Sequence, residues 1–174
     1  MAPFSGYRTN TLRGDRRAVE GLPLTMIIVM VVLAITIPLI FGSLRAYDRG
    51  RMEAELVSEM NGFASMAQLI YTSGPGNSAL IEFMAEPGSI AGINYVIFGD
   101  VPGGGLASTI RYKIQGIDEQ MMLISSPLVP MMSNQSAGLQ ISSGAYKILA
   151  ECVAGYYNPD DPSQQTYVRL SIYQ

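Results

Sequence analysis

Histidine and tryptophan are absent from this chain, cysteine occurs once, and charged residues make up only 14% of its 174 positions. Without histidine there is no ordinary general base and no commonest transition-metal ligand. With Cys152 alone, no intrachain disulfide can form. Its neighbours, Ile148-Leu149-Ala150-Glu151-Cys152-Val153, read as a strand that packs the thiol as a small apolar group rather than displaying it as a nucleophile. A net charge of −3 and a pI near 4.9 give no nucleic-acid footprint. Gly103-Gly104-Gly105 lacks the following Gly-Lys-Ser/Thr of a phosphate loop and reads as a flexible hairpin. No nucleophile elbow and no metal cluster stand out. The sequence therefore points away from an enzyme and implies no cofactor.

What the chain does have is an uncharged apolar run, LPLTMIIVMVVLAITIPLIFGSL, from Leu22 to Leu44. As a helix it would rise roughly 34 Å, enough to cross a hydrocarbon core of about 30 Å. Within lipid only a helix or a closed barrel satisfies its own backbone, and one segment of this kind can be only the helix. Residues Leu22, Pro23, Ile27, Val31, Ile35, Pro38 and Phe41 mark this membrane or filament-core helix. Pro38 predicts a kink rather than a break.

Ahead of the run, residues 1–18 carry Arg8, Arg13, Arg16 and Arg17 against only Asp15. That excess favours a cytoplasmic N-terminus, although Arg45, Arg49 and Arg51 follow the span. An ordinary secretory signal has an apolar segment of about 7–15 residues before its cleavage site. Here the apolar run is longer, and the cleavage-like feature, a basic residue followed by a small one and then Val-Glu, lies before it.

The stretch Arg16-Arg17-Ala18-Val19-Glu20-Gly21-Leu22-Pro23-Leu24 resembles the class III signal peptide of type IV prepilins, particularly the archaeal kind. The resemblance implies that residues 1–18 are a basic leader cut between Ala18 and Val19, with Arg17-Ala18 as the recognised pair. It also implies partners: a prepilin peptidase, an assembly ATPase and a membrane platform protein. One departure is plain. Many bacterial pilins carry Glu at the fifth mature position, whereas here that position is Pro23 and the nearest acid is Glu20. The resemblance spans about residues 13–70. The plainer alternative for this region is a single-pass anchor with basic flanks.

Helical periodicity continues past Leu44. Met52, Leu56, Met60, Phe63, Ala67 and Ile70 recur every three or four residues, as one apolar face that packs helix against head. Residues 19–73 are thus expected as one N-terminal helix, with an apolar part at 22–44 and an amphipathic part at 45–71. A rod from Leu22 to Tyr71 would be about 75 Å long. The alternative is two helices broken at Gly50. Ser73-Gly74-Pro75-Gly76-Asn77 ends the element.

From residue 78 to 174 the pattern predicts a β-rich head. Strands are expected near Ala79–Ala85, Ile93–Gly99, Ser108–Gln115, Gln120–Ser125, Leu139–Ser142, Ala145–Tyr156 and Gln165–Tyr173. The first of these also fits one or two helical turns. Seven short strands suggest an antiparallel sheet folded on itself as a sandwich, so the fold class is α+β. Asp160-Asp161 matches no EF-hand spacing and reads as a solvated turn. Asn134-Gln135-Ser136 is an N-glycosylation triplet in a polar loop. The ten tyrosines read as sheet and contact surface, and the eleven methionines as packing.

The functional expectation is a structural subunit of an archaeal type IV pilus-like filament, partnered by copies of itself. The precursor would sit in the cytoplasmic membrane, in contact with lipid and with its N-terminus inside. The assembled form would be extracellular, with the head outside for adhesion or surface contact. The rival is a membrane-anchored accessory protein that never polymerises, a layout that archaellum stator proteins resemble.

Overall fold

A computed structural model describes residues 16–135, 137–155 and 166–173, with side chains from Pro23 onward. The fold is α+β. Helix α1 (Arg16–Ser73) is followed by eight strands: β1 (Ser78–Ala85), β2 (Ile93–Phe98), β3 (Thr109–Ile114), β4 (Gln120–Leu123), β5 (Met131–Ser133), β6 (Leu139–Ile141), β7 (Gly144–Ala154) and β8 (Thr166–Tyr173). The chain divides into two compact units between Ser43 and Leu44.

Helix α1 runs through Gly50 without a break. It stops where glycine makes a left-handed turn affordable: Gly74 has φ +88° and its N–H donates to the Tyr71 carbonyl at 3.2 Å. The Asn77 side-chain amide donates to the carbonyls of Ser73 (2.8 Å) and Gly74 (3.0 Å), which satisfies helix-end acceptors. Backbone bonds from Gly76 N to Cys152 O (2.9 Å) and from Cys152 N to Asn77 O (2.8 Å) then tie the helix exit to β7.

The strands form two four-stranded sheets, ordered β1-β7-β8-β5 and β4-β3-β2-β6. All pairings are antiparallel except β5 with β8, which are parallel. The structure therefore corrects the sequence reading in one way and bears out the strand expected near Ala79–Ala85. An eighth strand, β5, is present, and it adds a parallel edge to an otherwise antiparallel sheet. Ala79–Ala85 is a strand, not a helical turn; its alternation puts Ile81, Phe83 and Ala85 inward and leaves Leu80, Glu82 and Met84 exposed. The ends of the predicted strands at Tyr156 and Gln165, and the turn at Asp160-Asp161, lie outside the described residues.

Asn94 explains the irregular spacing in β2. Ile93 pairs with Ile114 and Tyr95 with Lys113, so Asn94 is the extra residue of a bulge. The bulge resets the alternation so that Ile93, Val96 and Phe98 all reach the core. Gly99 then ends β2 with φ +70°, and a Cβ there would run into the Met131 carbonyl. That close approach lets Asp100 N donate to Met131 O at 3.2 Å, linking the end of β2 to β5 in the other sheet.

One core unites both sheets with the amphipathic part of α1. Met52, Leu56, Met60, Phe63, Ala67 and Ile70 are all buried in it, alongside Ile81 and Phe83 of β1, Val96 and Phe98 of β2, Ile110 and Ile114 of β3, Ile148 and Cys152 of β7, and Val168 and Leu170 of β8. The head is thus a sandwich-like pair of sheets whose interior is completed by a helix face.

Candidate functional site

The most unusual surface in the molecule is the first part of α1. Fifteen large apolar side chains from Leu24 to Leu44 are each between 48% and 65% exposed. Half-exposing one such side chain to water forfeits about 1 kcal/mol of burial. Fifteen together would cost on the order of 15 kcal/mol, as much as the whole stability of a typical domain. Water is therefore the wrong solvent for this surface. The helix is long and apolar enough to cross a membrane, and its apolar 18-residue window has a mean hydropathy of 2.9.

Its few polar groups are already satisfied internally. Thr36 Oγ1 donates to the Val32 carbonyl at 2.7 Å, and Ser43 Oγ to the Leu39 carbonyl at 2.9 Å. Hydroxyls bonded back one turn can enter lipid or an apolar bundle without an unmet donor. Pro38 lies within the helix and has no N–H for the carbonyl of Ala34, so that acceptor is a weak point of the ladder, as is the carbonyl four residues before Pro23. Pro23, Ile27, Val31, Ile35, Pro38 and Phe41 are all exposed. Leu22, Arg17, Ala18 and Val19 fall in α1, but their side chains lie outside the described set, as do residues 1–15 of the leader.

Beyond Leu44 the helix becomes a clamp on the head. Asp48 accepts three backbone N–H bonds from one loop: Ser89 at 3.2 Å, Ile90 at 2.8 Å and Ala91 at 3.1 Å. These bonds, chiefly those from Ile90 and Ala91, hold its carboxyl below the usual aspartate value of 3.8. One turn further, Met52 Sδ accepts from Gly88 N at 3.1 Å. Glu53 Oε1 accepts the Tyr112 hydroxyl at 3.0 Å, joining α1 to β3. Burial first, and then the Glu53 bond, push that phenol up to about 12. Gln68 Nε2 donates to the Ser125 carbonyl at 2.9 Å. Sequence periodicity had no means of finding these polar ties, because each joins α1 to a segment at least 36 residues away. An Asp followed by a Pro-Gly-Ser loop is too common a pattern to have signalled the first.

On the head, Arg111 approaches Asp100 (4.0 Å) and Glu119 (3.9 Å), and Tyr95 donates its hydroxyl to Glu119 at 2.9 Å. Arg169 and Glu151, cross-strand neighbours in register, pair at 2.7 Å. These are structural ion pairs on half-exposed surface. Asn134 is exposed in the turn after β5, while Ser136 of its triplet lies outside the described residues. Cys152 is buried, which pushes its thiol up and away from reactivity. Among the described residues no group of three or more metal-ligating side chains comes together.

The arrangement joins an exposed apolar helix segment to a packed head through one helix. It can place an uncharged apolar helix in an apolar environment while holding a folded head by polar and apolar ties to the same helix. Compared with known protein families, with curated proteins and with solved structures, the chain finds no match in any of the three.

Proposed function

We propose that the chain is a structural subunit of a type IV pilus-like surface filament, assembled through its N-terminal helix after removal of the basic leader. The observation that carries this reading is the all-round exposure of Leu24 to Phe41 on a helix whose continuation is locked into a folded head. In the membrane, lipid would cover that surface. On assembly, copies of the same helix would replace the lipid, so little transfer energy is lost while side-chain packing is gained. A contact repeated about an axis without closing produces a helical polymer. The heads would lie outside and make surface contacts.

The test is the mass of the native N-terminus, together with electron microscopy of material sheared from cells. A chain beginning at Val19 and present in filaments is the expected result. A chain that retains Met1 and stays in the membrane as single molecules would overturn the reading in favour of an anchored accessory protein.

A further inference from the structure

The head-facing stripe of α1 begins with two arginines. Arg45 and Arg49 stand one turn apart and continue the same face as Met52 and Leu56. Together with Ile90, Ala91, Gln115 and Gly116 they line a groove of about 310 Å³. Gly116 turns the chain at the groove wall with φ +82°, and a Cβ there would only touch the Arg49 guanidinium at 3.4 Å.

Among the described residues neither guanidinium has a carboxylate partner: no acid comes within 4.0 Å of either, whereas Arg51 pairs with Glu55 at 2.8 Å. Asp48, the closest acid in sequence, accepts from the 89–91 amides instead. Two adjacent unpaired guanidiniums in a groove form a fork suited to the oxygens of a phosphate.

Chain position indicates which phosphate. Arg45 and Arg49 are one and five residues past Leu44, the last apolar residue of the run, so they rise about 1.5 and 7.5 Å beyond it. A bilayer headgroup layer is about 5–8 Å deep on each side, so both fall within it when the run spans the membrane. Ile90, 46% exposed on the groove rim, suits the boundary between headgroup and acyl chain.

We propose that this groove holds the headgroup phosphate of an anionic membrane lipid and docks the head on the outer leaflet before assembly. It rests on the membrane-inserted state in the proposed function, but not on polymerisation. It also accounts for arginines on the side of the span where the positive-inside rule does not expect them.

The test is native mass spectrometry of the full chain released from nanodiscs of mixed phosphatidylcholine and phosphatidylglycerol. Retained lipid should be enriched in phosphatidylglycerol on the order of tenfold over the disc composition. R45Q/R49Q should abolish the enrichment and R51Q should keep it. Should the double variant expose Cys152 to alkylation, showing an unfolded head, R45Q and R49Q singly carry the test, each cutting the enrichment about threefold. No enrichment, or equal enrichment in the double variant, overturns the assignment. Inorganic phosphate retained on the chain with no lipid enrichment in its absence overturns it in favour of a soluble anion. Lipid-free dimers that vanish in R45Q/R49Q overturn it in favour of a contact between copies. A chain that never enters the nanodisc counts against the membrane reading itself, a separate result.

Discussion

Phe63 of α1 and Phe98 of β2 meet with ring centroids 4.5 Å apart, and Phe83 of β1 stands edge-on to both, at 6.2 Å from Phe63 and 5.1 Å from Phe98. The three rings join the helix to one strand of each sheet. Phe63→Ala should therefore destabilise the head by about 3–5 kcal/mol, because the neighbouring rings belong to separate elements and cannot all collapse into the cavity. Chemical denaturation of the full chain in detergent, followed by tyrosine fluorescence, measures this. A loss below about 1 kcal/mol would mean the helix face is not part of the core.

The polar clamp predicts an acid-sensitive loop. Asp48 has its folded-state pKa lowered, so its contribution is present above the ordinary value of 3.8 and is lost as pH falls through the lower folded value. Amide exchange at Ser89, Ile90 and Ala91 should rise on acidification through that window while β7 amides stay protected. Asp48→Asn should raise exchange at the same three amides at neutral pH and remove the acid step. Loop exchange that ignores both treatments would refute the clamp.

Tyr112 gives the alkaline counterpart. Its folded pKa is raised to about 12, so the stability it contributes is complete below the ordinary value of 10 and is lost as pH rises towards 12. Phenolate absorbance should include a late step from Tyr112, and Tyr112→Phe should remove that contribution. The same variant leaves Glu53 without its hydroxyl partner. A titration curve unchanged by the substitution would rule the assignment out.

Cys152 serves as a reporter of the head. It is 1% exposed on β7, with its Sγ 4.0 Å from the Tyr71 carbonyl of α1. Burial both shields the thiol and raises its pKa. Maleimide should label the native chain slowly and the denatured chain at once, with the native rate set by opening of the fold. Rapid labelling without denaturant would show that β7 is not packed under the helix end.

Much of this architecture is legible in the sequence because it obeys periodicity. The 3.6-residue stripe from Met52 to Ile70 is the core face, and the alternation of Tyr167, Arg169 and Ser171 with Val168 and Leu170 is β8. Strand β5 escapes that logic. Its three residues, Met131–Ser133, are too few to show alternation, and they follow Pro130, which reads as a stop. Its place is set by non-local bonds: Met131 N to Ala107 O at 3.0 Å and Val168 N to Pro130 O at 2.8 Å. The Asn94 bulge is hidden for a related reason, since only the partner strand reveals which residue is extra. The candidate site divides the same way. An uncharged helix announces itself by composition, whereas the Asp48 clamp depends on a loop that the fold brings back from forty residues away.

Placing one charge in the apolar helix separates folding from function. Ile35 is 61% exposed and belongs to the first compact unit, Met1–Ser43, and it is not a member of the head core, so Ile35→Arg is a change outside that core. Head stability should stay within about 0.5 kcal/mol of the parent, as for other exposed substitutions. Near mid-bilayer, however, an arginine costs about 2.5–3.5 kcal/mol of insertion energy, and a bundle of identical helices would bury one unpaired charge per copy. Expression of this variant should yield a head that protects Cys152 as the parent does, with membrane insertion reduced and filaments missing from sheared cell-surface material. If filaments formed normally around Arg at position 35, the apolar helix could not be the surface through which copies join.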